Sequence, residues 1–169
     1  MVSFPALTTR QFAGAMLAAS VAVLGAALLS QYWGGLTPCE LCLLERWPWW
    51  VAIVLSAAAW LAGSRVAPPI PAGLLALVFL ASAGVAFYHV GVEQHWFAGP
   101  TACTASGVEA TSVDALRAQL LGKQPVMCDQ VQWSLFRISL AGWNLLASLV
   151  LAWLCAAAAR GRGRRRATA

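Results

Sequence analysis

Residues 138–159 read ISLAGWNLLASLVLAWLCAAAA, which is 22 residues without a charged side chain between Arg137 and Arg160. An α-helix rises about 1.5 Å per residue, so about 20 apolar residues cross a hydrocarbon core that is about 30 Å thick. The stretch therefore predicts a transmembrane helix.

Three more apolar runs have nearly the same length, and charged residues flank each of them. The sequence therefore predicts an all-α membrane protein, a single integral domain that is a bundle of four transmembrane helices at about residues 12–31, 47–63, 70–88 and 138–159. The composition agrees, because 60% of the residues are hydrophobic and only 10% are charged. These values exclude a disordered chain and disfavour an ordinary soluble domain.

The basic residues are unevenly distributed along the chain. Five of the eleven lie within residues 160–169, while residues 1–159 hold six basic and six acidic side chains. A short arginine run after an apolar segment indicates the cytoplasmic side of a membrane rather than a nucleic-acid-binding face. We therefore expect cytoplasmic termini, a bilayer around the bundle, no nucleic-acid partner, and two outer loops, 32–46 and 89–137, that hold all six acidic residues.

Two further patterns concern the outer surface. Aromatic residues gather where the predicted helices meet the outer interface, which is typical of an aromatic belt: Tyr32, Trp33, Trp47, Trp49, Trp50, Tyr88 and Trp133. Within the second outer loop, residues 112–121 predict a short amphipathic helix, because their apolar side chains recur at helical spacing.

Four of the five cysteines lie in the outer loops, Cys39 and Cys42 in the first and Cys103 and Cys128 in the second. Disulfides persist on that side of a membrane, and a C-x-x-C pair is typically an exchangeable one, which favours redox chemistry. A zinc ribbon needs two such pairs and covalent haem needs a following histidine, so the spacing predicts no metal site. Cys155, alone in the last helix, is expected to be inert. A membrane scaffold with two structural disulfides remains the non-enzymatic alternative.

The residues around the first pair form a helix-start pattern. Thr37 and Glu40 have the spacing of a capping box, with proline between them at the first helical position, so both cysteines are expected in the first turns of a helix. The positive end of a helix favours a thiolate there. Pro48 would then lie in the helix interior and disturb it.

Two basic side chains are candidates for the same site. Arg46 follows Cys42 by four residues, and is either an anion-holding group on the same face or an ordinary interfacial cation. His89 lies at the outer end of the third helix and is either an interfacial residue or a cofactor contact. Glu93 and His95 are expected to be plain loop residues.

The stretch PCELCLLER, residues 38–46, resembles the signature of the disulfide bond formation protein B (DsbB) family. Further matches are YHVGVEQ at 88–94, the pair Cys103 and Cys128, and SLAGWN at 139–144. The resemblance implies a thiol:quinone oxidoreductase of the bacterial inner membrane, with both termini cytoplasmic and both redox loops periplasmic. Its partner would be a DsbA-like thioredoxin-fold protein of the periplasm, which it reoxidises.

The resemblance also implies the site residues. Cys103 would form the mixed disulfide with the partner, and Cys128 would pass electrons to the first pair by attacking Cys39. Cys42 would be the thiolate beside ubiquinone or menaquinone, the implied cofactor; Arg46 would stabilise that thiolate–quinone state, with His89 near the ring. A vitamin K epoxide reductase-like enzyme is the alternative, but its C-x-x-C lies on the last helix of the bundle, whereas here it opens the second.

Overall fold

The computed structural model describes residues 8–100 and 127–167, with side chains described through residue 160. In chain order the elements are α1 Thr9–Tyr32, α2 Glu40–Leu44, α3 Arg46–Ala62, a 3₁₀ turn Gly63–Arg65, α4 Pro69–Glu93, β1 Ser134–Leu135, β2 Ile138–Ser139 and α5 Leu140–Ala167. Four segments are long and apolar enough to cross a membrane: Thr9–Tyr32, Glu40–Arg65, Pro69–Glu93 and Leu140–Arg160. The predicted four-helix fold is confirmed, while the predicted helix at 112–121 and Cys103 lie outside the described residues.

The second span begins at Cys39 rather than at the predicted capping residue Thr37. The Cys39 backbone is extended, and its Sγ accepts the backbone N–H of Cys42 at 3.2 Å, so the cysteine itself is the N-cap. The capping-box prediction was wrong because the sulfur supplies the acceptor that the first turn needs. The span is then interrupted at Glu45, between α2 and α3. Pro48 explains this break, because it has no N–H for the carbonyl four residues earlier and its ring crowds that carbonyl.

At the end of the bundle that holds the cysteine loop, one serine joins α4 to α5. Helix α4 continues to Glu93, five residues past its predicted end. The Ser139 hydroxyl donates to Glu93 Oε2 at 2.5 Å and accepts the N–H of Gly142 at 3.1 Å, which caps the first turn of α5. Glu93 is therefore a half-buried helix-end residue, and the prediction that it is a plain loop residue was wrong.

A two-residue hairpin turn leads into α5. Strands β1 and β2 pair antiparallel, and the residues between them, Phe136 and Arg137, have φ values of 53° and 66°. Positive φ at both positions is the geometry of the hairpin turn that matches strand twist. The hairpin uses residues 138 and 139, so α5 begins at Leu140 rather than at 138. It continues past residue 160 into the predicted basic tail.

The bundle core is formed by all four long helices, and the most extensive interface joins α4 to α5. The rings of Trp49 and Phe79 pack with centroids 5.5 Å apart, and the hydroxyls of Ser82 and Ser148 share a hydrogen bond of 2.9 Å. Trp49 is only 2% exposed, so it belongs to the core rather than to the predicted aromatic belt. At the opposite end from the cysteine loop, the Arg10 guanidinium lies 4.9 Å from the Trp60 ring centroid.

Candidate redox site

The thiols of Cys39 and Cys42 form the centre of the site. Their Sγ atoms lie 2.6 Å apart, and Cys39 is buried while Cys42 is partly exposed. The hydrogen bond to Cys42, followed by burial, raises the pKa of Cys39 to about 12. Cys39 therefore keeps its proton at neutral pH and is able to donate it to the neighbouring sulfur. This leaves Cys42 as the sulfur of the pair that is placed to carry negative charge.

His89 approaches the thiol pair from α4. The ring is buried, with Nε2 3.6 Å from Cys39 Sγ and Nδ1 2.7 Å from Glu45 Oε1. A carboxylate oxygen only accepts hydrogen bonds, so Nδ1 carries a hydrogen, and Nε2 is the ring nitrogen that faces the sulfur. The structure therefore brings together Cys39, Cys42 and His89, which were separate candidates in the sequence.

Glu45 continues this contact into a chain of hydrogen bonds across the bundle. Its second oxygen, Oε2, accepts from Asn144 Nδ2 at 2.7 Å, and Asn144 Oδ1 accepts from Trp49 Nε1 at 2.9 Å. Glu45 is 7% exposed, so its bond to His89 is buried, while the two bonds of Asn144 are partly buried. The sequence reasoning missed Glu45 and Asn144 as site residues. Asn144 had a signal, an amide within an otherwise apolar span, where polar residues are costly and commonly functional, whereas Glu45 had none because it lay in the predicted loop 32–46.

Arg46 lies four residues after Cys42 and donates a hydrogen bond to another helix. Its Nη1 donates to Gln31 Oε1 at 2.6 Å, near the end of α1. Arg46 and Cys42 line the same cavity, so the predicted shared face is present in spite of the break at Glu45. Gln31 was also missed by the sequence reasoning, because nothing local links it to the cysteine motif.

A cavity of about 650 Å³ opens beside the thiol pair, between α1, α3 and α5. Its wall is mainly aliphatic and aromatic, including Leu24, Ala27, Leu140, Trp143 and Ala147. At one end the wall turns polar and contains both thiols, the Arg46 guanidinium and the His89 ring. Sites for small organic molecules typically have this size and this separation of apolar wall and few polar groups.

Cys128 packs against the same thiol pair. It is 1% exposed and belongs to a buried cluster with Cys39, Leu41 and Val92, against which Cys42 also packs. The segment between α4 and α5 therefore brings Cys128 to the first thiol pair. The role of Cys103 stays a prediction. Cys155 is buried against Met16, with 3.6 Å between their sulfur atoms.

Four membrane-spanning helices with a buried thiol pair beside an apolar cavity define a multi-pass membrane protein with a thiol redox site. Residues 9–158 match the family described as "Disulfide bond formation protein DsbB", and the chain belongs to this family. The chain is therefore a disulfide-forming redox protein.

Several relatives are similar over most of their length. "Disulfide bond formation protein B" of Aromatoleum aromaticum is 32% identical over 173 residues, which cover 96% of this chain and 99% of that protein. The protein of the same name from Herminiimonas arsenicoxydans is 30% identical, with 82% and 87% covered. "Disulfide bond formation protein B 1" of Pseudomonas aeruginosa is 28% identical, with 85% and 90% covered. No solved structure matches the chain.

Proposed function

We propose that the protein is a thiol:quinone oxidoreductase that reoxidises a DsbA-like thioredoxin-fold protein of the periplasm. The partner's dithiol becomes a disulfide, and ubiquinone or menaquinone takes up the two electrons and two protons and becomes a quinol. The observation that carries this proposal is the opening of the Cys39–Cys42 pair onto an apolar cavity of about 650 Å³.

The cavity residues fit a quinone. A quinone has a flat ring with two polar oxygens and an apolar tail, and the cavity has an aliphatic and aromatic wall with polar groups at one end. Arg46 would hold the polar end of the ring, since a guanidinium stays charged and offers several N–H donors. Its hydrogen bond to Gln31 Oε1 holds the guanidinium at the cavity wall. When bound, the quinone supplies the two-electron acceptor that the thiol pair lacks.

Electrons reach the first pair by thiol–disulfide exchange. One partner thiolate attacks Cys103 of the Cys103–Cys128 disulfide, so that Cys128 leaves as the thiolate, and the partner's second thiolate then closes the partner disulfide and releases Cys103 as the thiolate. The Cys128 thiolate attacks Cys39 Sγ of the Cys39–Cys42 disulfide, so the Cys128–Cys39 bond forms and the bond to Cys42 breaks. Cys42 leaves as the thiolate. The buried cluster supports this order, because Cys128 and Cys39 share it while Cys42 is the more exposed sulfur of the pair. Attack of the Cys103 thiolate on Cys128 then restores the second disulfide and releases Cys39.

His89 acts as the base that accepts the proton of Cys39. Cys39 must lose its proton before it closes the disulfide onto Cys42, and its raised pKa means that a base is needed near neutral pH. His89 Nε2 faces the sulfur at 3.6 Å and takes this proton. The imidazolium that forms is stabilised by the Glu45 carboxylate on Nδ1, at 2.7 Å.

The proposed location is a bacterial inner membrane with both termini in the cytoplasm. Contacts of Arg46 with Gln31, of His89 with Glu45 and of Ser139 with Glu93 bring the thiol pair and the ends of four helices to one end of the bundle. The other end carries Arg10, Arg65 and the basic tail. The positive-inside rule then directs the thiols to the periplasm.

The test is turnover of the purified protein with a reduced DsbA-like partner and ubiquinone, followed by the loss of quinone absorbance. We expect one quinone reduced per partner disulfide formed. Cys42→Ser should abolish quinone reduction, while Cys155→Ala, a change of a buried cysteine outside the site, should preserve it. Partner oxidation without quinone reduction under anaerobic conditions would contradict the proposal.

A further inference from the structure

Three soft or borderline ligand atoms converge in this site: Cys39 Sγ, Cys42 Sγ and His89 Nε2, all within 4.8 Å of one another. Two thiolates and one imidazole form a ligand set of the kind that holds zinc in catalytic sites, where the fourth position stays open. Here the fourth direction is the cavity, which all three residues line. The sequence contains no second C-x-x-C pair of the kind that completes a zinc ribbon. The third ligand is instead His89, which comes from another helix.

The distances match a tetrahedral ion at one pair of ligands, while the two sulfurs must separate by about 1.2 Å to bind it. Bond lengths of about 2.3 Å to sulfur and about 2.0–2.1 Å to nitrogen separate a sulfur and a nitrogen ligand by about 3.5 Å. Cys39 Sγ and His89 Nε2 are 3.6 Å apart. Two sulfur ligands need a separation of about 3.8 Å, whereas the thiols are 2.6 Å apart. The partly exposed Cys42 side chain has the cavity beside it into which to move.

A second, independent feature is the hydrogen bond behind the histidine. Histidine ligands of metal ions typically donate their other ring N–H to a carboxylate, which sets the tautomer and makes the ligand nitrogen more basic. His89 has this arrangement, with Nδ1 bonded to Glu45 and Nε2 turned toward the sulfurs. The backbone N–H of Cys42, bonded to Cys39 Sγ, likewise supports negative charge on that sulfur.

We propose that the reduced Cys39–Cys42 pair and His89 form a binding site for a thiophilic divalent cation of the zinc type. The ion displaces the thiol protons and is bound by two thiolates and a neutral imidazole, so the cluster carries no net charge. The disulfide form has no thiolates and does not bind the ion. The bound ion therefore keeps the Cys39–Cys42 pair reduced and blocks the Cys42 sulfur, which faces the cavity. The cation is thus an inhibitor that acts only on the reduced state of the pair.

The test is zinc binding to the purified full-length protein, with a zinc indicator as competitor and without quinone or partner. The Cys103→Ser/Cys128→Ser variant is used, because it leaves only the first thiol pair in the outer loops. After reduction and anaerobic removal of the reductant, we expect one Zn²⁺ per chain. The same preparation, reoxidised, is the matched control and should bind none. Cobalt in place of zinc should give the thiolate charge-transfer and tetrahedral bands of a sulfur-ligated ion.

Substitutions then distinguish the site from a simple dithiol. Glu45→Gln should weaken binding by about 10–100-fold, the usual cost of losing a carboxylate behind a histidine ligand. His89→Ala should weaken it further, and Cys155→Ala should leave it unchanged. Equal affinity in His89→Ala, binding to the oxidised protein, or no binding to the reduced protein would each overturn the proposal, whether or not quinone reduction is confirmed.

A redox titration gives a second measurement that does not need a variant. An ion that binds only the reduced pair shifts the dithiol–disulfide equilibrium by the factor 1 + [L]/Kd. With free zinc at 100 times its Kd, this factor is about 100, which corresponds to a shift of about 60 mV toward a more positive potential for a two-electron couple. A potential that does not respond to zinc would contradict state-specific binding.

Discussion

Replacing Glu45 by glutamine tests the hydrogen-bond chain through the site, because every donor and acceptor in that chain has a fixed direction. Trp49 is only a donor, so Asn144 must present its oxygen to the indole and its amide hydrogens to residue 45. Glutamine has one acceptor and must use it for Asn144. Its own amide hydrogens then face His89 Nδ1, where the wild-type carboxylate accepted a hydrogen.

His89 is able to satisfy this arrangement only by changing its tautomer. Nδ1 becomes the acceptor and Nε2 carries the hydrogen, which points at Cys39. The cost in stability is small, since a charge-assisted hydrogen bond of about 1.5–3 kcal/mol is replaced by a neutral one of about 0.5–1.5 kcal/mol, a loss of about 1 kcal/mol. The cost in function is larger, because Nε2 no longer accepts the Cys39 proton. General-base catalysis contributes about 10²–10⁴ in rate, so quinone reduction should fall by about 100-fold or more.

Three measurements check this prediction. Nitrogen-15 NMR of histidine-labelled protein reports the tautomer of His89, thermal unfolding in detergent reports stability, and steady-state turnover reports quinone reduction. The matched control is Glu40→Gln, which removes an exposed carboxylate from the same short helix. Wild-type turnover in Glu45→Gln, or an unchanged tautomer, would refute the positioning role. Loss of turnover together with unfolding would show that Glu45 is structural.

Three further predictions concern the cavity, the order of exchange and the topology. Arg46→Gln should slow quinone reduction or weaken quinone binding by about one to two orders of magnitude, and Arg46→Lys should have an intermediate effect. Thiol exchange with the partner, measured without quinone, should stay normal. If both rates are lost, Arg46 is a folding residue. Cys128→Ser should trap a mixed disulfide with the partner through Cys103, identified by mass spectrometry, and an adduct on Cys39 would reverse the proposed order. In a cysteine-free background, a membrane-impermeant maleimide should label Gln94→Cys from the periplasm, whereas it should label Ser64→Cys only after lysis. The reverse pattern would show that the proposed topology is inverted.

The four spans and the thiol motif were predictable because they depend on neighbours in the chain. An uncharged run of about 20 residues crosses a bilayer as a helix whatever it packs against, since its backbone groups must be satisfied within the segment. The C-x-x-C spacing places Cys39 and Cys42 together once the chain turns into a helix there, as it does at α2. Even so, the local capping prediction at Thr37 was wrong, because a cysteine sulfur competed for the same role at the start of α2.

The environment of the thiols was not predictable from local pattern, because its contacts join distant parts of the chain. His89 lies 44 positions from Glu45, Asn144 lies 99 positions from Glu45, and Gln31 lies 15 positions from Arg46. Such contacts depend on the rotation and depth of each helix in the bundle, and hydrophobic periodicity determines neither in a helix that is apolar on all sides. The sequence therefore specified a membrane bundle with a reactive thiol pair, whereas helix packing determined which base, acid and cation surround it.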